Sequence, residues 1–188
     1  MKKNGILGGS FDPIHNGHLY IAKKAKELLQ LDKVIFVPAA RPPHKENQTL
    51  TNNNYRLEMI TLGIENYPDF IISNIELIRA GKNYTVDTIP ILQQLYPNSE
   101  FYLIIGADMA NDIKNWHRAD ELLQMVMPVT FERPGYTITN NDVKVLSADL
   151  IDVSSTKIRD KVRRDEDISG LVPETVAEFI KDRRLYKK

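Results

Sequence analysis

Short apolar runs alternate with helical patterns along most of this chain, and few folds accept that alternation. Runs suited to buried strands fall at residues 4–7, 34–37, 70–75, 101–105, 126–131 and 143–146. Several are apolar at consecutive positions, so both faces of the sheet they form must be covered. Between them lie helical stripes: Leu19, Ala22, Lys26 and Leu29, then Leu57, Ile60 and Ile64, then Ile89, Leu92 and Leu95. Residues 109–113 also read as helix. The pattern predicts an α/β chain with a doubly wound, mainly parallel sheet and helices on both sides. Residues 154–164 and 173–183 then read as two helices with no strand between, Pro173 suiting a first helical turn. A small helical C-terminal section, about 150–188, is therefore expected to pack on the sheet within a single domain, 1–188.

Composition narrows the function. With 188 residues, 42% of them hydrophobic, the chain can bury a core without disulfides or a structural metal. Its 25 basic and 25 acidic side chains cancel, which argues against nucleic acid or an anionic membrane as partner. The absence of cysteine excludes disulfide scaffolds, thiolate zinc sites and thiol catalysis. No apolar stretch approaches the ~18 residues of a membrane span, and residues 1–9 carry too short an apolar run for a secretory signal. A soluble, cytoplasmic protein is expected.

The most informative segment is Gly8-Gly9-Ser10-Phe11-Asp12-Pro13-Ile14-His15-Asn16-Gly17-His18, which follows the first strand and opens the first helix. Glycines at such a junction let backbone approach a ligand closely, and the helix start offers N–H groups and a positive dipole end. His15 and His18, three apart, can point the same way and donate to phosphate oxygens without a permanent charge. Local helix capping would satisfy them equally well. Asp12-Pro13 suits a turn that holds the loop. The segment resembles the mark of the nucleotidyltransferase α/β phosphodiesterase superfamily, a strand, then G-x-F-D-P-x-H-x-G-H, then a helix. The resemblance implies a Rossmann-like nucleotidyltransferase fold, with Gly8, Gly9, Ser10, Phe11, His15 and His18 at ATP.

A second segment, Asp152-Val153-Ser154-Ser155-Thr156-Lys157-Ile158-Arg159, is similar to the superfamily's I-S-S-T-x-I-R, with Val153 where isoleucine is common. Ser and Thr at a helix start are ordinary N-caps, yet their hydroxyls also make an anion site. Thr156, Arg159 and Arg163 share a helical face, while Ile158 and Val162 turn to the core. The resemblance places Ser154, Ser155, Thr156 and Arg159 at ATP and makes Arg159 catalytic beside His15 and His18. In this superfamily a phosphate-bearing acceptor attacks the α-phosphorus of a nucleoside triphosphate and pyrophosphate leaves. Mg²⁺ would be carried by the nucleotide phosphates, since no dedicated carboxylate cage is legible.

The middle of the chain indicates the acceptor. Arg41-Pro42-Pro43-His44-Lys45, Asn83-Tyr84-Thr85-Val86-Asp87-Thr88, Ile105-Gly106-Ala107-Asp108, Asn115-Trp116-His117-Arg118 with Leu122-Leu123, and Arg133-Pro134-Gly135-Tyr136 resemble, in order, motifs of bacterial nicotinate mononucleotide adenylyltransferases. The resemblance implies ATP and nicotinate mononucleotide as substrates. Trp116 can stack on a pyridine ring, or serve the core. Tyr84 and Thr85, before a helix, can bind a carboxylate, or Thr85 can cap that helix. Lys45, on the irregular stretch 39–54, and Arg133 can reach phosphate or remain solvated. Gly106 and Asp108, past a strand end, suit the nucleotide ribose, with an N-cap as Asp108's alternative. Two departures stand out. Pro90 falls where the family carries a helix former and is expected to shorten or kink the first turn of the helix after Thr85. Glu132 precedes Arg133 where smaller apolar residues are usual.

Two rivals differ in what they need. A phosphopantetheine adenylyltransferase shares the first motif but has little use for Trp116 or Tyr84-Thr85. A non-catalytic nucleotide sensor on the same fold has no need of His15, His18 and Arg159 together. The sequence is compatible with a homo-oligomer.

Overall fold

The apolar runs form the strands β1 (Lys2–Gly9), β2 (Lys33–Pro38), β3 (Phe70–Ile72), β4 (Ser99–Ile104), β5 (Met127–Phe131) and β6 (Lys144–Leu146) in a computed structural model describing residues 1–40, 50–79 and 82–187. They join one sheet in the order β3-β2-β1-β4-β5-β6, with every pairing parallel. Ile6 at its centre stands opposite Ile35 on β2 and Leu103 on β4. The strand expected over 70–75 ends at Ile72. Ser73 N–H still reaches Phe36 O, and the chain then turns into a short helix at Ile75.

Helices α1 (Asn16–Leu29), α2 (Asn53–Ile64), α3 (Ile75–Ile78), α4 (Thr85–Leu95), α5 (Ala107–Ala110), α6 (Ala119–Met125), α7 (Ser155–Arg163) and α8 (Glu174–Asp182) cover both faces. One core joins Leu19, Ile60, Ile158 and Val176 from α1, α2, α7 and α8 to Val34 and Phe36 of the sheet. The other joins Val86, Ile89, Leu92 and Leu122 from α4 and α6 to Ile6, Ile35 and Leu103. Consecutive strand residues thus serve opposite cores, which is why the runs read as apolar throughout.

Several stripe positions shift. On α1 it is Ala25 that is buried, while Lys26 reaches out to Asp69 at 3.1 Å. On α2, Arg56 and Met59 are buried beside Ile60 and Ile64, and Leu57 is only half-buried. On α4 the buried face is Val86, Ile89 and Leu92; Leu95, the final helical residue, is 61% exposed. A 3.6-residue period drifts off a simple spacing rule within two turns. Pro90 does not end α4, which runs on through it to Leu95. The helix expected over 109–113 is instead α5, ending at Ala110, and a separate 3-10 turn at Ile113–Asn115.

This strand order reverses between β1 and β4, where the connections leave for opposite directions. In such sheets ligands bind in the crevice outside the carboxyl ends of those two strands. Gly8-Gly9 and Ile105-Gly106 stand at those ends.

Candidate active site

A cavity of about 800 Å³ opens at that crevice. Gly8, Gly9, Ser10, His15 and His18 line one side, Ser154, Ser155, Thr156 and Arg159 of the α7 start another, and Gly106 with Asp108 the β4 end. Tyr84, Thr85, Trp116 and His117 line the remainder. A Cβ on Gly8 would meet nothing within 4 Å, so its missing side chain leaves open space beside the loop.

His15 is the N-cap of α1, with extended backbone at φ −148°. Its Nδ1 accepts from the His18 N–H at 3.3 Å, and the His18 Nδ1 accepts from the His15 N–H at 3.3 Å. The rings stack with centroids 3.6 Å apart. This is a capping box built from two imidazoles. A neutral ring whose Nδ1 accepts carries its proton on Nε2. Capping therefore sets both tautomers and makes each Nε2–H a donor. Helix capping and a ligand-facing role, alternatives at the level of sequence, are compatible in the same side chains.

Burial pushes the His15 imidazole down to about 4, against the raising effect of its own backbone bond. The unfolded chain has its value near 6.5, so the folded pKa is depressed. Above that value neither state binds the proton and stability is unaffected. As pH falls from about 6.5 toward 4, the unfolded chain protonates first, and folding should lose on the order of 3 kcal/mol. His15→Asn keeps an oxygen that can cap α1 but cannot titrate. Urea unfolding across this range should therefore show a flatter pH dependence in the variant; identical slopes would contradict the assignment.

α7 is docked against the loop. Ser154 caps the helix by accepting from Lys157 N–H at 3.2 Å. The Ser155 hydroxyl donates to Pro13 O at 2.9 Å, and Arg159 Nη1 donates to Asp12 O at 2.7 Å while its Nη2 reaches Thr156 Oγ1 at 3.2 Å. The close approach needs Gly17, where a Cβ would lie 2.7 Å from Val153 Cγ1. Ile158 and Val162 are buried, as their spacing predicts.

At the opposite end, Tyr84 rather than Thr85 is the N-cap of α4, and no side chain caps it. Such a helix start can present N–H groups to an anion. Tyr84 stacks on His117 with ring centroids 4.1 Å apart. Trp116 is half-buried and packs on the second core while also lining the cavity. Asn83 Nδ2 donates to Glu76 O at 3.0 Å, and the Thr88 hydroxyl donates to Glu76 Oε1 at 2.8 Å. Burial pushes the Glu76 carboxyl above the usual carboxylate range, opposed by Thr88 and Arg79. Asp108 is not an N-cap. Gly106 caps α5, and a side chain on Gly106 would collide with the Asp108 carboxylate.

Two expected residues are placed otherwise. Phe11 is fully buried, its ring edge-on to His18 at 5.0 Å, so it backs the loop from the core. Arg133 is exposed, folded over Tyr136 at 5.2 Å, and does not line the cavity. Glu132 beside it accepts from Ser147 at 2.8 Å. Lys45 lies outside the described residues. Sequence reasoning missed Glu76, Asn83, Thr88 and His117 as cavity residues. Three of them stand inside the quoted motifs, the available signal; Glu76 has none nearby.

The sheet order, with a glycine-containing loop at the carboxyl end of β1, defines a Rossmann-like nucleotidyltransferase architecture. A cytidylyltransferase-like family model matches residues 6–161. The probable nicotinate-nucleotide adenylyltransferase of Clostridium tetani is 42% identical, covering 100% of both chains. The nicotinate-nucleotide adenylyltransferase of Bacillus subtilis is 39% identical, again with 100% of each covered. A solved Plasmodium falciparum nicotinic acid mononucleotide adenylyltransferase, complexed with NaAD, shares the fold at TM-score 0.83 and 22% identity, covering 99% of this chain and 98% of that one. The chain belongs to the cytidylyltransferase-like family and, within it, to the nicotinate-nucleotide adenylyltransferases.

Proposed function

We propose that this enzyme transfers the adenylyl group of ATP to nicotinate mononucleotide, giving nicotinate adenine dinucleotide and pyrophosphate in NAD biosynthesis. One observation carries the reading: a single cavity joins the His15, His18 and Arg159 side chains at one end to Tyr84, Trp116 and His117 at the other. The acceptor has matching ends, a 5′-phosphate and a flat ring bearing a carboxylate. Family membership supports the same substrates.

The reaction is an in-line displacement at phosphorus. An oxygen of the acceptor phosphate bonds to the α-phosphorus as the bond to the α–β bridging oxygen breaks, and pyrophosphate leaves with that electron pair. The residues position both phosphates and offset charge growing on the leaving group. We assign the α- and β-phosphates to the Nε2–H groups of His15 and His18, and the leaving phosphates to Ser154, Ser155, Thr156 and Arg159. Asp108 and Gly106 take the ribose. Mg²⁺ fits as an ion arriving on the triphosphate, where it would neutralise phosphate oxygens. The carboxylate nearest the loop, Asp12, is already occupied by Thr51 N–H and the Tyr186 hydroxyl. Among the described residues no helix is long and apolar enough to cross a membrane.

The test is a substrate panel reading kcat/KM for ATP against CTP and for nicotinate against nicotinamide mononucleotide. ATP with the acid should be preferred, because donors matched to a carboxylate can discriminate by several kcal/mol. No dinucleotide from that pair with Mg²⁺ would refute the proposal. Trp116→Ala should raise KM for the acceptor roughly fivefold to thirtyfold while kcat falls little, since stacking holds ground and transition states alike. A rise in KM for ATP instead would place Trp116 on the wrong side of the site.

A further inference from the structure

Residues 10–12 of the phosphate loop are held from outside by a buried polar cluster that the mechanism above does not use. Arg56, fully buried on α2, donates through Nη1 to Ser10 O at 2.6 Å, through Nε to Thr51 O at 3.1 Å and through Nη2 to Asn53 Oδ1 at 2.7 Å. Asp12 is 2% exposed. Its Oδ2 accepts from Thr51 N–H at 3.1 Å and its Oδ1 from the Tyr186 hydroxyl at 2.7 Å, while its backbone oxygen receives Arg159. Tyr186 belongs to the turn that follows α8, far in sequence from every other member.

We infer that Tyr186 is a positioning residue for adenylyl transfer, acting through Asp12 on the placement of Arg159 and of the loop leading to His15. This rests on the proposed function. A carboxylate in a dry site must keep its donors, and Asp12 draws one of them from this distant turn. Burial and the neighbouring Asp12 both raise the Tyr186 phenol, so it stays protonated and always donates. Without the hydroxyl, Asp12 Oδ1 loses its donor beside two guanidinium groups, Arg56 and Arg159. The carboxylate then turns toward them and competes with the contacts that hold Ser10 O and Asp12 O. Arg159 and the residues from Asp12 to His15 move with it. Small displacements at a phosphoryl-transfer site are costly in rate. The backbone of Tyr186 is itself left-handed, at φ +65°, a conformation disfavoured for a tyrosine and kept here where its hydroxyl meets Asp12.

The experiment compares wild type, Tyr186→Phe, Asp12→Asn, the double variant, and Leu185→Ala, a buried residue of the same turn, as a packing control. Each is assayed well below its own melting midpoint, so that all are folded. Tyr186→Phe should lower kcat about tenfold to a hundredfold, with acceptor KM little changed. The double variant should be no slower than Asp12→Asn alone, because both changes break one link. Leu185→Ala should melt lower yet keep wild-type kcat. Wild-type turnover by Tyr186→Phe would overturn the inference, as would effects of the two single changes that multiply independently. If wild type bound ATP but formed no dinucleotide, the substrate reading would fail instead. The same variants would then be compared by ATP affinity, where non-additive losses support the inference and unchanged binding by Tyr186→Phe overturns it.

Discussion

His18→Ala should lower kcat by roughly 10²–10³, the usual cost of one lost donor to a developing charge, while KM for ATP changes much less. His18 lines the cavity at the start of α1. Its Nδ1 is committed to the His15 N–H, which leaves the proton on Nε2. Charge grows on the bridging oxygen as pyrophosphate departs, so a donor there is worth more in the transition state than before it. The substitution also opens half of the capping pair and should cost about 1 kcal/mol of stability. That double role makes the measurement discriminating. A histidine that only capped the helix would give a lower melting temperature with normal kcat. Normal turnover would rule the assignment out.

Arg159→Ala should be comparably severe, lowering kcat/KM for ATP by roughly 10²–10³. One arm of the guanidinium is spent on Asp12 O and another touches Thr156 Oγ1, so the fork is locked before any ligand arrives. Truncation removes the positive charge that we assign to the leaving phosphates and also leaves the Asp12 carbonyl without its donor. Arg159→Lys restores charge but not the fork, and should remain at least about tenfold below wild type, since a shorter, rotating ammonium does not reproduce the fixed spacing of the two nitrogens on Asp12 O and Thr156 Oγ1. Wild-type kcat/KM in the lysine variant would mean that charge alone matters there and that the clamp on Asp12 is incidental.

What the sequence made legible follows from the range of the forces involved. Strands buried on both faces announce themselves as unbroken apolar runs, and β1, β2 and β4 are of that kind. His15 with His18, and Thr156 with Arg159, are pairs three apart on a helix, so local spacing alone brings them together. Asp12 is different. Its partners Thr51 and Tyr186 lie 39 and 174 residues away, and no local pattern links them. Arg56 stands in no motif, and Ser10 O, to which it donates, lies 46 residues away. Motif position also overreached twice. Phe11 matches its motif but faces the core, and Arg133 matches its own but lies on Tyr136, because a motif records which residue stands at a place and not which way it points. Leu95 failed for a simpler reason, being the last residue of its helix.

The central claim is that the α-phosphorus of ATP moves to the acceptor phosphate. Its most direct test uses ATP labelled at the α-phosphorus, incubated with nicotinate mononucleotide, Mg²⁺ and the purified protein. Label should appear in the dinucleotide, with an equal amount of unlabelled pyrophosphate. Label released with inorganic phosphate, or retained in ATP with no dinucleotide formed, would contradict it.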